Sequence, residues 1–152
     1  MYLKTISILS ISMFLLSSCD KGNIESETSP QTKKIVVRNI DTIKYSYGKK
    51  LFLEYCASCH GNKAEGTEHW RKTNKDGKYP PPPLNGTAHA WHHSLKVLSD
   101  TIKDGTAKIG GDMPAWKDKL SDKEIESILV FIQAQWPDEI YAIWYENYYG
   151  SK

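Results

Sequence analysis

Apolar positions recur at helical spacing in three stretches of the chain. From Thr42 to about Ser58, Gly48, Leu51, Phe52 and Tyr55 fall at i, i+3, i+4 and i+7, the spacing of a packed helical stripe. A glycine within such a stripe costs up to about 1 kcal/mol relative to alanine, so Gly48 is expected to lie in close contact with another helix. A second, shorter face runs over Leu95, Leu98, Thr101 and Ile102 and ends before Gly105. The third helix opens on Ser121-Asp122-Lys123-Glu124, in which Ser121 caps and Glu124 reaches back. It continues through Ile125, Ile128, Leu129, Phe131 and Ile132 to Trp136, and Pro137 closes it. Phe131 is the expected partner for the gap over Gly48. No alternating pattern of strand length appears, so the predicted fold class is all-α.

The segments between and beyond these helices have other characters. Met1 to Cys19 has a basic start at Lys4 and an apolar run from Ile6 to Leu16, too short to span a bilayer and of the kind found in secretory signals. It ends in Leu16-Ser17-Ser18-Cys19, which resembles the lipobox of bacterial lipoproteins. That resemblance implies cleavage before Cys19 and acylation there, with ordinary cleavage at a nearby small residue or an uncleaved anchor as the alternatives. Residues 20–34 are polar with almost nothing to bury and read as a flexible linker. Ile35-Val36-Val37 either pairs as a small strand or lies against the domain. The expected organisation is a lipoprotein signal peptide over 1–18, a lipidated linker over 19–41, a folded domain over 42–137 and an aromatic extension over 138–152. Spacing in the extension allows a helix packed back on the domain; an exposed aromatic docking strip is the other reading.

Composition narrows the function. The 152 residues carry a formal net charge of +2, which suggests neither nucleic acid nor an anionic membrane surface as partner. Only three cysteines are present, so no disulfide framework is expected.

Two of those cysteines lie in Cys56-Ala57-Ser58-Cys59-His60. The C-x-x-C-H spacing is the attachment signature of a c-type haem. Two thiols one helical turn apart can add to the vinyl groups of one porphyrin edge, and the histidine can offer a ring nitrogen to the iron. Zinc would want four ligands, and no further cysteine follows. A redox dithiol expects a βαβ context, and a disulfide within the motif is the remaining alternative.

Ordered along the chain, these features resemble a class I monohaem cytochrome c from about Ser46 to Trp136. Gly48 lies eight residues before the first motif cysteine and Phe52 four before it. After the motif come Pro82 to Gly86, then Met113-Pro114, then a final helix carrying Phe131. The resemblance implies N- and C-terminal helices crossing beside one covalently held haem c, with loops wrapping the porphyrin. It also implies that the carbonyl of Pro82, in the extended Tyr79–Leu84 stretch, accepts the second N–H of His60. Met113 is the candidate sixth ligand. It is the only methionine beyond the signal segment and sits in a Gly/Pro loop about fifty residues after His60, where a core-filling methionine is least expected.

The competing ligands are His69, His89, His92 and His93. The run Thr87 to His93 is read either as a polar loop contacting a haem propionate or as a transition-metal site, for example for copper. No proton-transfer or nucleophilic constellation is apparent, so no catalytic residue is assigned. The expected function is single-electron transfer by a cytochrome tethered in the bacterial cell envelope, with redox proteins at the membrane as partners and no small-molecule substrate. A haem subunit of a multi-subunit oxidoreductase is the alternative, followed by a haem-based sensor. Around the two candidate loops basic and acidic residues alternate, as in Lys63, Glu65, Glu68, Arg71, Lys72, Lys75, Asp76 and Lys78. Weak dependence of partner docking on salt is therefore expected.

Overall fold

The computed structural model describes residues 36–150. These fall within one compact unit, Lys33–Lys152, while the unit Met1–Thr32 lies outside the described residues. Cys19 and the signal segment therefore lie there too. Five helices are formed and no strand is present among the described residues: α1 Thr42–Tyr55, α2 Ala57–His60, α3 Leu95–Asp104, α4 Asp122–Ala134 and α5 Asp138–Tyr149.

Helix α1 starts where Asp41 turns its carboxylate onto the amides of Ile43 and Lys44, each at 3.0 Å, which satisfies two orphan donors of the first turn. Helix α4 starts with both halves of a capping box: Ser121 accepts from the Glu124 amide, and Glu124 accepts from the Ser121 amide at 2.8 Å. The two helices pack against each other through Gly48, Leu51 and Phe52 on one side and Ser127, Ile128 and Phe131 on the other. A Cβ at Gly48 would run into the backbone carbonyl of Ser127, so the backbones meet directly at this point. The gap over Gly48 is thus filled by the Ser127–Ile128 backbone and not, as the sequence suggests, by Phe131. Phe131 lies beside it, with ring centroids 5.0 Å from Phe52 and 5.7 Å from Tyr45. Tyr47 donates to Glu124 at 2.9 Å and Lys44 to Glu126 at 2.5 Å along the exposed rim.

The helical stripe expected to reach Ser58 instead breaks at Cys56. The Cys56 amide still reaches the Phe52 carbonyl at 2.9 Å, and the residue stays in the right-handed α region with φ stretched to −114° before α2 begins. The junction of two helices thus falls on the first cysteine of the motif.

Helix α3 is capped by Ser94, whose hydroxyl accepts from the Val97 amide at 3.3 Å, and buries Ile102. Helix α5 follows Pro137 at once and buries Trp144 in the shared core, with Ile140 and Tyr141 packed against it, while Tyr148 and Tyr149 are exposed. Residues 36–41 form no strand. Arg38, within the stretch expected to be tether, is docked instead. Its guanidinium donates to the carbonyls of Gln133 at 3.3 Å and Trp136 at 2.7 Å, pairs with Asp138 at 3.1 Å and lies 4.4 Å from the centre of the Tyr141 ring. A cation on the last carbonyls of α4 is favoured by the helix dipole.

Candidate haem site

The carbonyl of Cys56 receives both the Cys59 amide at 3.1 Å and the His60 amide at 2.9 Å, which winds the motif into one helical turn. Cys56 is half-buried, Cys59 is exposed and neither is in a disulfide. Burial, with a smaller contribution from Cys59, pushes the Cys56 thiol up to about 11, so it is a neutral thiol near pH 7.

His60 is 8% exposed, and its Nδ1 lies 2.9 Å from the carbonyl oxygen of Pro82. A carbonyl only accepts, so the ring proton is on Nδ1 and the lone pair of Nε2 is available to a metal. Burial lowers the imidazole pKa, and the bond to Pro82 opposes that shift. The ring is therefore neutral at physiological pH, as a metal ligand must be.

Pro82 is fixed from both sides. Before it, the Pro81 carbonyl accepts from the amide and the hydroxyl of Thr67, both at 3.0 Å. After it, the Leu84 amide donates to the Ala64 carbonyl at 2.8 Å. Ala64 is fully buried at φ 57°, a left-handed conformation that costs a non-glycine residue roughly 1–2 kcal/mol. The Gly66 amide returns to the His60 carbonyl at 2.7 Å and closes the turn. Sequence reading missed Thr67 and Ala64, and no local signal marks either one.

Met113 is half-buried against the core. Its backbone is clamped by Thr106: the Met113 amide donates to the Thr106 hydroxyl at 3.0 Å, and the Thr106 amide donates to the Met113 carbonyl at 3.0 Å. The Gly111 amide also donates to the Thr106 carbonyl, at 2.9 Å. Lys78 pairs with Asp112 and joins this loop to the charged one. Thr106 too went unrecognised in the sequence.

His69, His89 and His92 are exposed and His93 is half-buried. His89 lies 5.2 Å from Trp70 and 5.9 Å from His93 between ring centres, while His92 meets the edge of Trp91. Among the described residues no group of three or more His, Cys, Asp or Glu side chains is gathered as a metal would require. The rings of the run instead meet indoles and each other at tilted or edge-on angles.

These residues fit a c-type haem. The donor set is two thiols, a buried neutral imidazole with Nε2 available and a soft thioether, which is iron–porphyrin chemistry. Leu84, Trp91, Leu95, Leu98 and Met113 pack against the core while keeping part of their apolar surface uncovered, which suits a flat apolar group.

An all-helical domain with this arrangement is a cytochrome c domain. The model of the family described as "Cytochrome C oxidase, cbb3-type, subunit III" matches residues 44–132, more than half of the chain, and the chain belongs to that family. It is 34% identical over 92 residues to the cbb3-type cytochrome c oxidase subunit CcoP of Azospirillum sp. (strain B510), covering 60% of this chain and 29% of that one. It is 30% identical over 87 residues to cytochrome c6 of Bryopsis maxima, covering 56% of this chain and 84% of that one. A cbb3-type subunit named FixP from Bradyrhizobium diazoefficiens is 31% identical, with 26% of its length covered. The chain thus spans under a third of the oxidase subunits it matches and most of the cytochrome c6. No solved structure gives a significant match. Membership of the family implies haem c. Among the described residues no helix is long and apolar enough to cross a membrane.

Proposed function

We propose that the protein is a single-electron carrier holding one haem c, attached through Cys56 and Cys59, with His60 and Met113 as axial ligands, and tethered at Cys19 in the bacterial cell envelope. The observation that carries this reading is the hydrogen bond from His60 to Pro82, because it leaves a neutral imidazole with one nitrogen presented to a metal. When bound, the haem supplies a one-electron ferric/ferrous couple. The protein does the rest. The two cysteines retain the group, and the Pro82 carbonyl makes the proximal imidazole more basic. The Met113 thioether, holding the group, would favour the ferrous form over what a second imidazole would give and so raise the potential. With His60 and Met113 both holding the haem, no coordination vacancy would be left, which would favour electron transfer over oxygen chemistry.

Replacing Met113 with alanine is expected to leave the haem attached, abolish the ferric sulfur-to-iron absorption band and lower the midpoint potential. An unchanged band would exclude Met113 and turn attention to the histidines. The accompanying Cys19→Ser variant should move the haem protein into the soluble fraction; retention on the membrane would refute the lipid tether.

A second reading is supported by the printed names of several relatives, which are oxidase subunits. Here the chain hands electrons to a catalytic partner held in a stable complex. Purification from membranes in mild detergent separates the two readings: a carrier comes out alone, a subunit with its partner.

A further inference from the structure

The loop from Pro82 to His93 contains no regular structure except a single 3₁₀ turn at Ala90–His92, yet it supplies the carbonyl on which His60 depends. Two indoles beyond the family-matched region hold this loop. Trp136 donates its ring N–H to the Leu84 carbonyl at 2.8 Å, and Trp144 donates to the His93 carbonyl at 3.0 Å. The rings are 2% and 3% exposed, and they meet edge to face at 5.6 Å and 72°. Gly86, at φ 92°, lets the loop come down on this pair: a Cβ there would press on the Pro137 ring and the Trp136 backbone. One buried bracket thus grips the loop at two points nine residues apart, the nearer only two residues from Pro82.

We infer that Trp136 and Trp144 are positioning residues for the proximal ligand, acting through the Leu84 and His93 carbonyls on the alignment of Pro82 with His60. The inference rests on the proposal that His60 ligates haem iron. The chemistry sets the sign. If the Leu84 carbonyl loses its donor, the neighbouring Pro82 carbonyl is less firmly aimed and the bond from His60 weakens. A less strongly hydrogen-bonded imidazole is less basic and stabilises the ferric state less, so the midpoint potential rises. A purely structural role for the indoles would lower stability and leave the potential where it was.

The test uses the haem-loaded protein with Trp136→Phe and Trp144→Phe, which keep most of the apolar ring and remove the N–H. Ile128→Val in α4 serves as a control for stability loss alone. The expected result is covalent haem retained in every variant and a potential raised in both tryptophan variants but not in the control. Exchange of the His60 ring N–H with solvent should also be faster by roughly two- to tenfold, the scale of one net hydrogen bond. Tryptophan variants with the potential and ring exchange of the unaltered protein would overturn the inference. If the variants do not accumulate, exchange in the unaltered protein decides. The His60 ring proton and both indole protons should open in one step, and a His60 proton that exchanges while the indoles stay protected would overturn the inference equally. A haem protein in which the His60 ring resonances show no iron ligation would sink the haem proposal itself, and this inference with it.

Discussion

The crossing of α1 and α4 and the loops between residues 61 and 120 both fix side chains in space, and they do so by different physical means. At the crossing, backbone meets backbone at Gly48, and Phe52, Ile125 and Ile128 are fully buried. Position there follows from shape and from apolar area removed from water. In the loops, position follows from one or two hydrogen bonds at a time between non-adjacent residues, as with Thr67 on Pro81, Thr106 on Met113 and Trp136 on Leu84. The first region fails as a unit, whereas the second can open piece by piece while the crossing stays intact.

Gly48→Ala should show the largest effect. The gain in helix propensity, up to about 1 kcal/mol, is outweighed because the new methyl meets backbone that cannot rotate away. A net loss of about 2–3 kcal/mol is expected in chemical denaturation. Exchange of the Gly111 amide, which requires only the methionine loop to open, should keep its original rate. A neutral Gly48→Ala variant would mean that the close crossing does not set the stability of the core.

Thr106→Val acts in the opposite region. It leaves the Met113 amide without its acceptor and should weaken the loop by about 1 kcal/mol, seen as faster exchange at Gly111. Global stability should fall by no more than the same amount. If Gly111 exchange is unaffected, the loop is held by something other than the threonine clamp.

The smallest effect is expected from salt. Lys78 pairs with Asp112 between two loops, Lys103 at the end of α3 with Asp122 at the start of α4, and Lys117 with Asp104. Such locally paired charges are largely cancelled beyond a Debye length of about 8 Å at physiological ionic strength. Electron transfer with a redox partner protein should change by less than roughly threefold as salt rises to that ionic strength. A steep monotonic fall would reveal an unbalanced basic face.

The same division decides what the sequence could reveal. Periodicity located α1, α3 and α4, and the Ser121/Glu124 pair marked the start of α4, because packed helices repeat their chemistry every few residues. Cys56, Cys59 and His60 stood out as candidates because the attachment proposed for them demands a fixed local spacing. Thr67, Thr106, Trp136 and Trp144 were not. Each acts on a carbonyl or amide elsewhere in the chain, and neither the spacing nor the residue type encodes the destination. The filling of the Gly48 gap was misassigned for a related reason: an aromatic ring is conspicuous in a sequence, but the backbone of a serine is not. The break at Cys56 was hidden because the cysteine keeps its amide bonded to Phe52 and stays in the right-handed α region.

Arg38 has a consequence of a mechanical kind. Its guanidinium is fastened to the end of α4, to Asp138 at the start of α5 and to the face of Tyr141. A pull on the chain preceding residue 38 is therefore borne first by this joint, where several bonds share the load. The first turn of α1, held by the Asp41 cap, lies behind it and feels the force only after Arg38 has let go. Stretching from the N-terminal side should thus meet an early yield point that Arg38→Ala removes, while the helices crossing at Gly48 remain folded on either side of it.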